Sequence, residues 1–182
     1  MKKIRLQLQS TKKIVSGLDI NLLILVDQNN ERQIAFVCSK ELERQLALRV
    51  NNNPIKNTLL PEVMCWINPD MNKENYEILF SSISGGEYKV ILINKITFEM
   101  LPISAPDAVL LATVAGLDMF IEEKLFYRQS MIFDETKEKI SLPLNILSQE
   151  MLEEALNRAI IEEDFEVASC LRDELKRRTP IK

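Results

Sequence analysis

The chain has 182 residues, 46% hydrophobic and 27% charged, with a net charge of −4 and an isoelectric point near 5.1. This describes one ordinary soluble domain with at most a small appendage, and it argues against a strongly basic nucleic-acid binder. The absence of histidine excludes Ser-His-Asp and Cys-His catalysis, a histidine general base and histidine-bound metals, so acid–base work falls to carboxylates, Lys, Tyr or Cys and any metal to oxygen ligands.

In chain order, Ile4, Leu6 and Leu8 alternate with Arg5 and Gln7, which predicts an edge strand and not a signal-peptide core. Lys2, Lys3, Arg5, Lys12 and Lys13 place five positive charges and no acid in the first thirteen residues. A solvated strand edge is a simpler account of them than a phosphate site. Residues 20–26 form an apolar run interrupted only by Asn21, and Arg32–Cys38 follows across a polar loop, so the pair reads as a β-hairpin. Ser39 caps a predicted helix over Lys40–Val50, with Leu42, Leu46 and Val50 on one side. Thr58 is read as the cap of a second helix with a stripe of Leu59, Leu60, Val63, Met64 and Ile67, Pro61 in its first turn and Trp66 near its end. Strands are expected over 76–82, 87–93 and 96–101, joined by turns at Gly85-Gly86 and Asn94-Lys95.

Residues 102–126 are the pivot of the chain. Ser104, Pro106 and Asp107 spell a helix start, with Ser104 as cap and Asp107 at the capping-box position. Val109, Leu110, Leu111, Val114 and Ala115 cover more than one face, so this helix should be buried on several sides. Gly116 ends it, and residues 117–121 read as a short buried strand closed by Glu122, Glu123 and Lys124. Residues 127–147 are mixed, with a hairpin or loop expected around 134–139.

The texture changes near Ser148, which divides the chain into units 1–147 and 148–182. Leu152, Ala155, Leu156, Ala159 and Ile160 make one helical stripe, and Phe165, Ala168, Leu171 and Leu175 make a second after the Glu162-Glu163-Asp164 interruption. Together they predict an antiparallel helical hairpin. Such short helices are marginal alone, so the stripe should pack on a partner, with the hairpin separate from the core of the first unit. Cys38, Cys65 and Cys170 are odd in number and far apart, which suits a reducing cytoplasm and not a disulfide framework. The longest apolar run, 108–117, is too short to cross a bilayer, so no membrane is expected.

Glu163-Asp164-Phe165-Glu166, Ala168 and Leu171-Arg172-Asp173-Glu174-Leu175 carry a resemblance to the UVR motif. That resemblance implies docking of a bacterial protein partner, with Phe165 and Leu171 as anchors, Arg172 and Asp173 setting register, and Leu175 completing the surface. Residues 15–131 resemble the bifunctional nuclease family, through Asn53-Pro54-Ile55-Lys56-Asn57-Thr58-Leu59, Gly86-Glu87-Tyr88-Lys89-Val90 and Pro102-Ile103-Ser104-Ala105-Pro106-Asp107-Ala108. The family pattern has Arg, His and Asp where Asn53, Asn57 and Thr58 stand, and Asp and Arg where Pro102 and Ser104 stand; Asp107 is retained.

The resemblance implies a compact α+β domain with a mixed sheet and packed helices, a homodimer, and cleavage of RNA and DNA. On that basis Asp107 is the candidate catalytic residue, and Asp107, Glu122 and Glu123 are the candidate ligands of Mg²⁺ or Mn²⁺. The alternative is a non-catalytic dimeric adaptor with a degenerate nuclease-like domain. Tyr88 and Lys89 are secondary candidates for touching nucleic acid.

Overall fold

A computed structural model of the chain describes residues 2–14, 20–84, 87–133, 149–161 and 163–178. The Gly85-Gly86 turn, the loop expected at 134–139, the boundary near Ser148 and Glu162 lie outside them. The elements are β1 (Lys3–Ile14), β2 (Ile20–Asp27), β3 (Arg32–Cys38), α1 (Lys40–Val50), a 3-10 turn (Pro54–Thr58), α2 (Leu60–Ile67), β4 (Tyr76–Ser84), β5 (Glu87–Asn94), β6 (Met100–Ile103), α3 (Ala105–Ala115), β7 (Asp118–Glu122), α4 (Glu123–Gln129), β8 (Met131–Ile132), α5 (Gln149–Ile161) and α6 (Phe165–Arg178). The protein is α+β, with a mixed sheet in the order β6-β5-β4-β7-β1-β2-β3-β8. Every neighbouring pair is antiparallel except β4 and β7.

The sheet is strongly curled. β3 and β5 lie five positions apart in it, a separation of about 24 Å if it were flat. Yet the Phe36 ring of β3 lies 5.9 Å from the rings of Phe80 in β4 and Tyr88 in β5. Folding the inner face on itself buries these rings together with Leu6, Ile78, Val90, Met119 and Ile121. Helix α3 packs along this face, with Ala108 and Val109 wholly buried. Gly116 then takes φ 67°, a left-handed conformation that its missing Cβ permits, and the chain turns directly into β7.

Strand β1 runs inside the sheet, between β7 and β2, and not at an edge. Alternation turns Leu6 inward and Lys3 and Arg5 outward. There Lys3 pairs with Glu77 at 2.7 Å and sits over the Phe120 ring, while Arg5 pairs with Asp118. Lys3 and Arg5 are thus matched by acids from β4 and β7. The strand expected at 96–101 is shifted. Asn94 Oδ1 accepts the backbone N–H groups of Ile96 and Thr97, Phe98 takes φ 60°, and pairing with β5 resumes only at Met100.

Thr58 does not cap α2. Its hydroxyl donates to the Ile55 carbonyl, and Leu59 holds the cap position without a side-chain bond. Glu123, expected in a turn, opens α4.

Helices α5 and α6 form the hairpin. Leu152 is 0% exposed, and Ala155, Ala159, Ala168 and Leu171 are buried in the same hydrophobic cluster as the sheet. Leu152 belongs to that common cluster, so its burial draws on more than the seam between the two helices. Met151 shares a cavity wall with Val37 and Pro106, which places the start of α5 against the sheet-bearing part of the chain.

Candidate functional site

The start of α3 holds Asp107. Ser104 Oγ accepts the Asp107 backbone N–H at 3.2 Å, and the Ser104 hydroxyl lies 2.6 Å from Asp107 Oδ2, to which it donates. This satisfies an otherwise orphaned donor of the first turn and places a negative charge at the positive end of the helix. Pro106 is suited to the same turn because its missing N–H would have had no helical partner. Asp107 is exposed to solvent. Ser104→Ala removes both bonds and is expected to cost about 1 kcal/mol, measurable as a shift in the urea midpoint.

A cavity of about 500 Å³ opens beside this cap, lined in part by Cys38, Ser39, Lys40, Ser104, Asp107 and Met151. Two helix starts meet there, because Ser39 caps α1 by accepting the Leu42 N–H at 3.1 Å. Burial, with the Glu43 carboxylate adding to it, pushes the Cys38 thiol up to about 11. The group is therefore an uncharged thiol at neutral pH and no nucleophile.

Among the described residues that line the cavity Asp107 is the only carboxylate, and one of its oxygens already accepts the Ser104 hydroxyl. By themselves these donors do not suit Mg²⁺, which asks for about six oxygens in a near-octahedral arrangement. Glu122 and Glu123 sit elsewhere. Glu122 ends β7 opposite Lys3, on the outer face that carries Phe120, and the Glu123 N–H bonds the Lys2 carbonyl. Among the described residues no three Cys, Asp or Glu side chains gather into a group able to hold a metal ion.

The other residues quoted for the resemblance lie in turns and strands of their own. Asn53 Oδ1 accepts the Ile55 N–H at 3.0 Å and caps the 3-10 turn, while Asn57 is exposed. Pro102 lies on β6, an edge strand, where a missing N–H is tolerated. Tyr88 is buried in the ring cluster, and that burial raises its phenol well above the ordinary value. Lys89 is exposed beside Glu87.

The hairpin residues divide. Leu171 is 2% exposed and Leu175 half-buried, whereas Phe165 is 71% exposed beside the turn. Arg172 and Asp173 form a surface pair at 3.2 Å. Ile160 and Ile161 are also exposed, next to the turn at Glu163, whose φ is 57°. Sequence reasoning set Leu171 beside Phe165 as a docking anchor and missed Ile161, which lies off the α5 stripe. It predicted α2 and its stripe but not that none of the helix's residues is buried. The apolar stripe was legible, but its direction was not. Comparison with protein-family models and with curated proteins found no match for this chain.

Proposed function

We propose that the chain is a non-catalytic adaptor: a degenerate nuclease-like domain that pairs with a second copy and presents a UVR-like hairpin to a partner protein. The observation that carries this reading is the hairpin turn, where Ile160, Ile161 and Phe165 form an exposed apolar tip. Large apolar side chains grouped on a surface mark interaction sites, and an aromatic among them suits an anchor. The role of Asp107 in the α3 cap supports the same reading, because the retained family residue already has a structural task.

The test has two arms. Labelled single- and double-stranded RNA and DNA are incubated with the protein in Mg²⁺, Mn²⁺ or chelator. No cleavage above that of Asp107→Ala is expected. Metal-dependent cleavage that disappears in Asp107→Ala would establish an enzyme instead. In the second arm a photo-crosslinker at Ile161 should capture one discrete partner in cells. Phe165→Asp should abolish that capture while changing stability by no more than about 0.5 kcal/mol, as expected of an exposed site.

A further inference from the structure

Helix α2 is built inside out. At about 100° per residue, Leu60, Val63, Met64, Trp66 and Ile67 fall on one arc of about 160°. All five are exposed, Trp66 to 83%. Pro61, Glu62 and Cys65 occupy the opposite side and are partly buried. Beneath the helix Glu62 accepts a hydrogen bond from Arg49 Nη2 at 2.7 Å, and the Arg49 side chain is only 5% exposed. Arg49 Nη1 also donates to the Gln45 carbonyl. The polar side of the helix thus faces the protein through a charge-assisted bond, and the apolar side faces water.

We propose that this arc is the face on which two copies of the chain pair, which deepens the dimeric part of the function proposed above. Two observations select a second copy as the occupant. The first is area. At roughly 200 Å² for each large side chain, the exposed fractions amount to about 600 Å² of apolar surface. Ile55, exposed on the adjoining 3-10 turn, extends it. A stable dimer covers about 800 Å² on each partner, so this arc supplies most of one interface. The second is charge. None of the five arc residues is ionisable, while the chain as a whole carries −4. Two copies repel through the rest of their surfaces, and an uncharged face is where identical molecules can meet without like charges opposed. In a two-fold pair the same arc serves both partners, and antiparallel α2 helices set opposite dipole ends side by side. Trp66, with the largest exposed ring, is the anchor.

Trp66 is the only tryptophan in the sequence, so its fluorescence reports this face directly. The experiment combines sedimentation of the full chain with emission spectra across a dilution series. The expected result is a dimer at tens of micromolar, emission that moves to the red on dilution, and dimerisation weakened roughly thirty-fold or more in Trp66→Ala. Met64→Glu should give a monomer with unchanged unfolding, and Ile132→Glu, on the exposed β8, should remain dimeric. A monomer with concentration-independent emission overturns both this assignment and the dimer of the proposed function. A dimer with solvent-exposed emission, indifferent to Trp66→Ala and Met64→Glu, overturns the α2 assignment alone. Emission that shifts only when another protein is added gives the face to a heterologous partner and also overturns it.

Discussion

Replacing Phe80 with alanine is expected to lower the free energy of unfolding by about 3–5 kcal/mol. Phe80 is 0% exposed and meets Phe36 and Tyr88, each at 5.9 Å. Phe80 and Tyr88 come from the neighbouring strands β4 and β5, and Phe36 from β3, four positions beyond β4 in the sheet order, so the three rings are where the curl closes. Removing the central ring opens a cavity and deletes two aromatic pairs, each worth about 0.5–1.5 kcal/mol beyond area burial. A domain holds only about 5–15 kcal/mol in total, so the variant should sit near its folding threshold. Denaturant unfolding of the full chain is the measurement. Phe98→Ala is the contrast: that ring is exposed on the β5–β6 turn and should change stability by about 0.5 kcal/mol or less. A cost for Phe80→Ala as small as that of Phe98→Ala would mean the ring cluster does not hold the curl.

Leu152→Ala is the second large effect, expected at about 2–5 kcal/mol. Leu152 is wholly buried, whereas Phe165 on the same hairpin is mostly exposed. A hairpin tethered loosely to the rest of the chain would not bury Leu152, because two helices leave the outer side of their seam wet. Thermal unfolding should therefore show one transition, lowered in Leu152→Ala and unmoved in Phe165→Ala. A chain ending at Leu147 should melt earlier than the full protein. If Leu152→Ala left the transition unchanged, the hairpin would stand apart from the sheet, as its composition alone suggests.

The contrast between those two residues shows what local patterns carry. Ser39, Ser104 and Gly116 announce helix ends because capping is an interaction within one turn. The run at 22–26 announces a strand, and the structure buries every residue of it. Direction is another matter. The stripe of α2 has helical period, but period does not say which way the stripe points. That was set by Arg49, thirteen positions before Glu62, which takes the polar side inward. The same holds for β1, whose lysine and arginine suggested an edge until Glu77 and Asp118 arrived from distant strands. The three carboxylates named as candidate metal ligands lie apart for a related reason. Strand parity puts Glu122 on the outer face, while Asp107 belongs to a helix on the inner one. Convergence of side chains is a property of the whole topology, which spacing along the chain does not encode.

The position of β1 also dictates an order of events during synthesis. Its first neighbour, β2, follows within a few residues, but its second, β7, lies far downstream: Arg5 meets Asp118 across 113 positions. The ribosome therefore releases a three-stranded β1–β2–β3 sheet long before the strand that completes it exists. Through that interval one side of β1 carries unpaired backbone groups, and Leu6 has no cover from Met119. Non-local pairings of this kind form late, and open strand edges are where nascent chains stick to one another. Lys3 and Arg5 lie on that open edge, where charged side chains disfavour the addition of other strands, and in the folded chain they pair with Glu77 and Asp118.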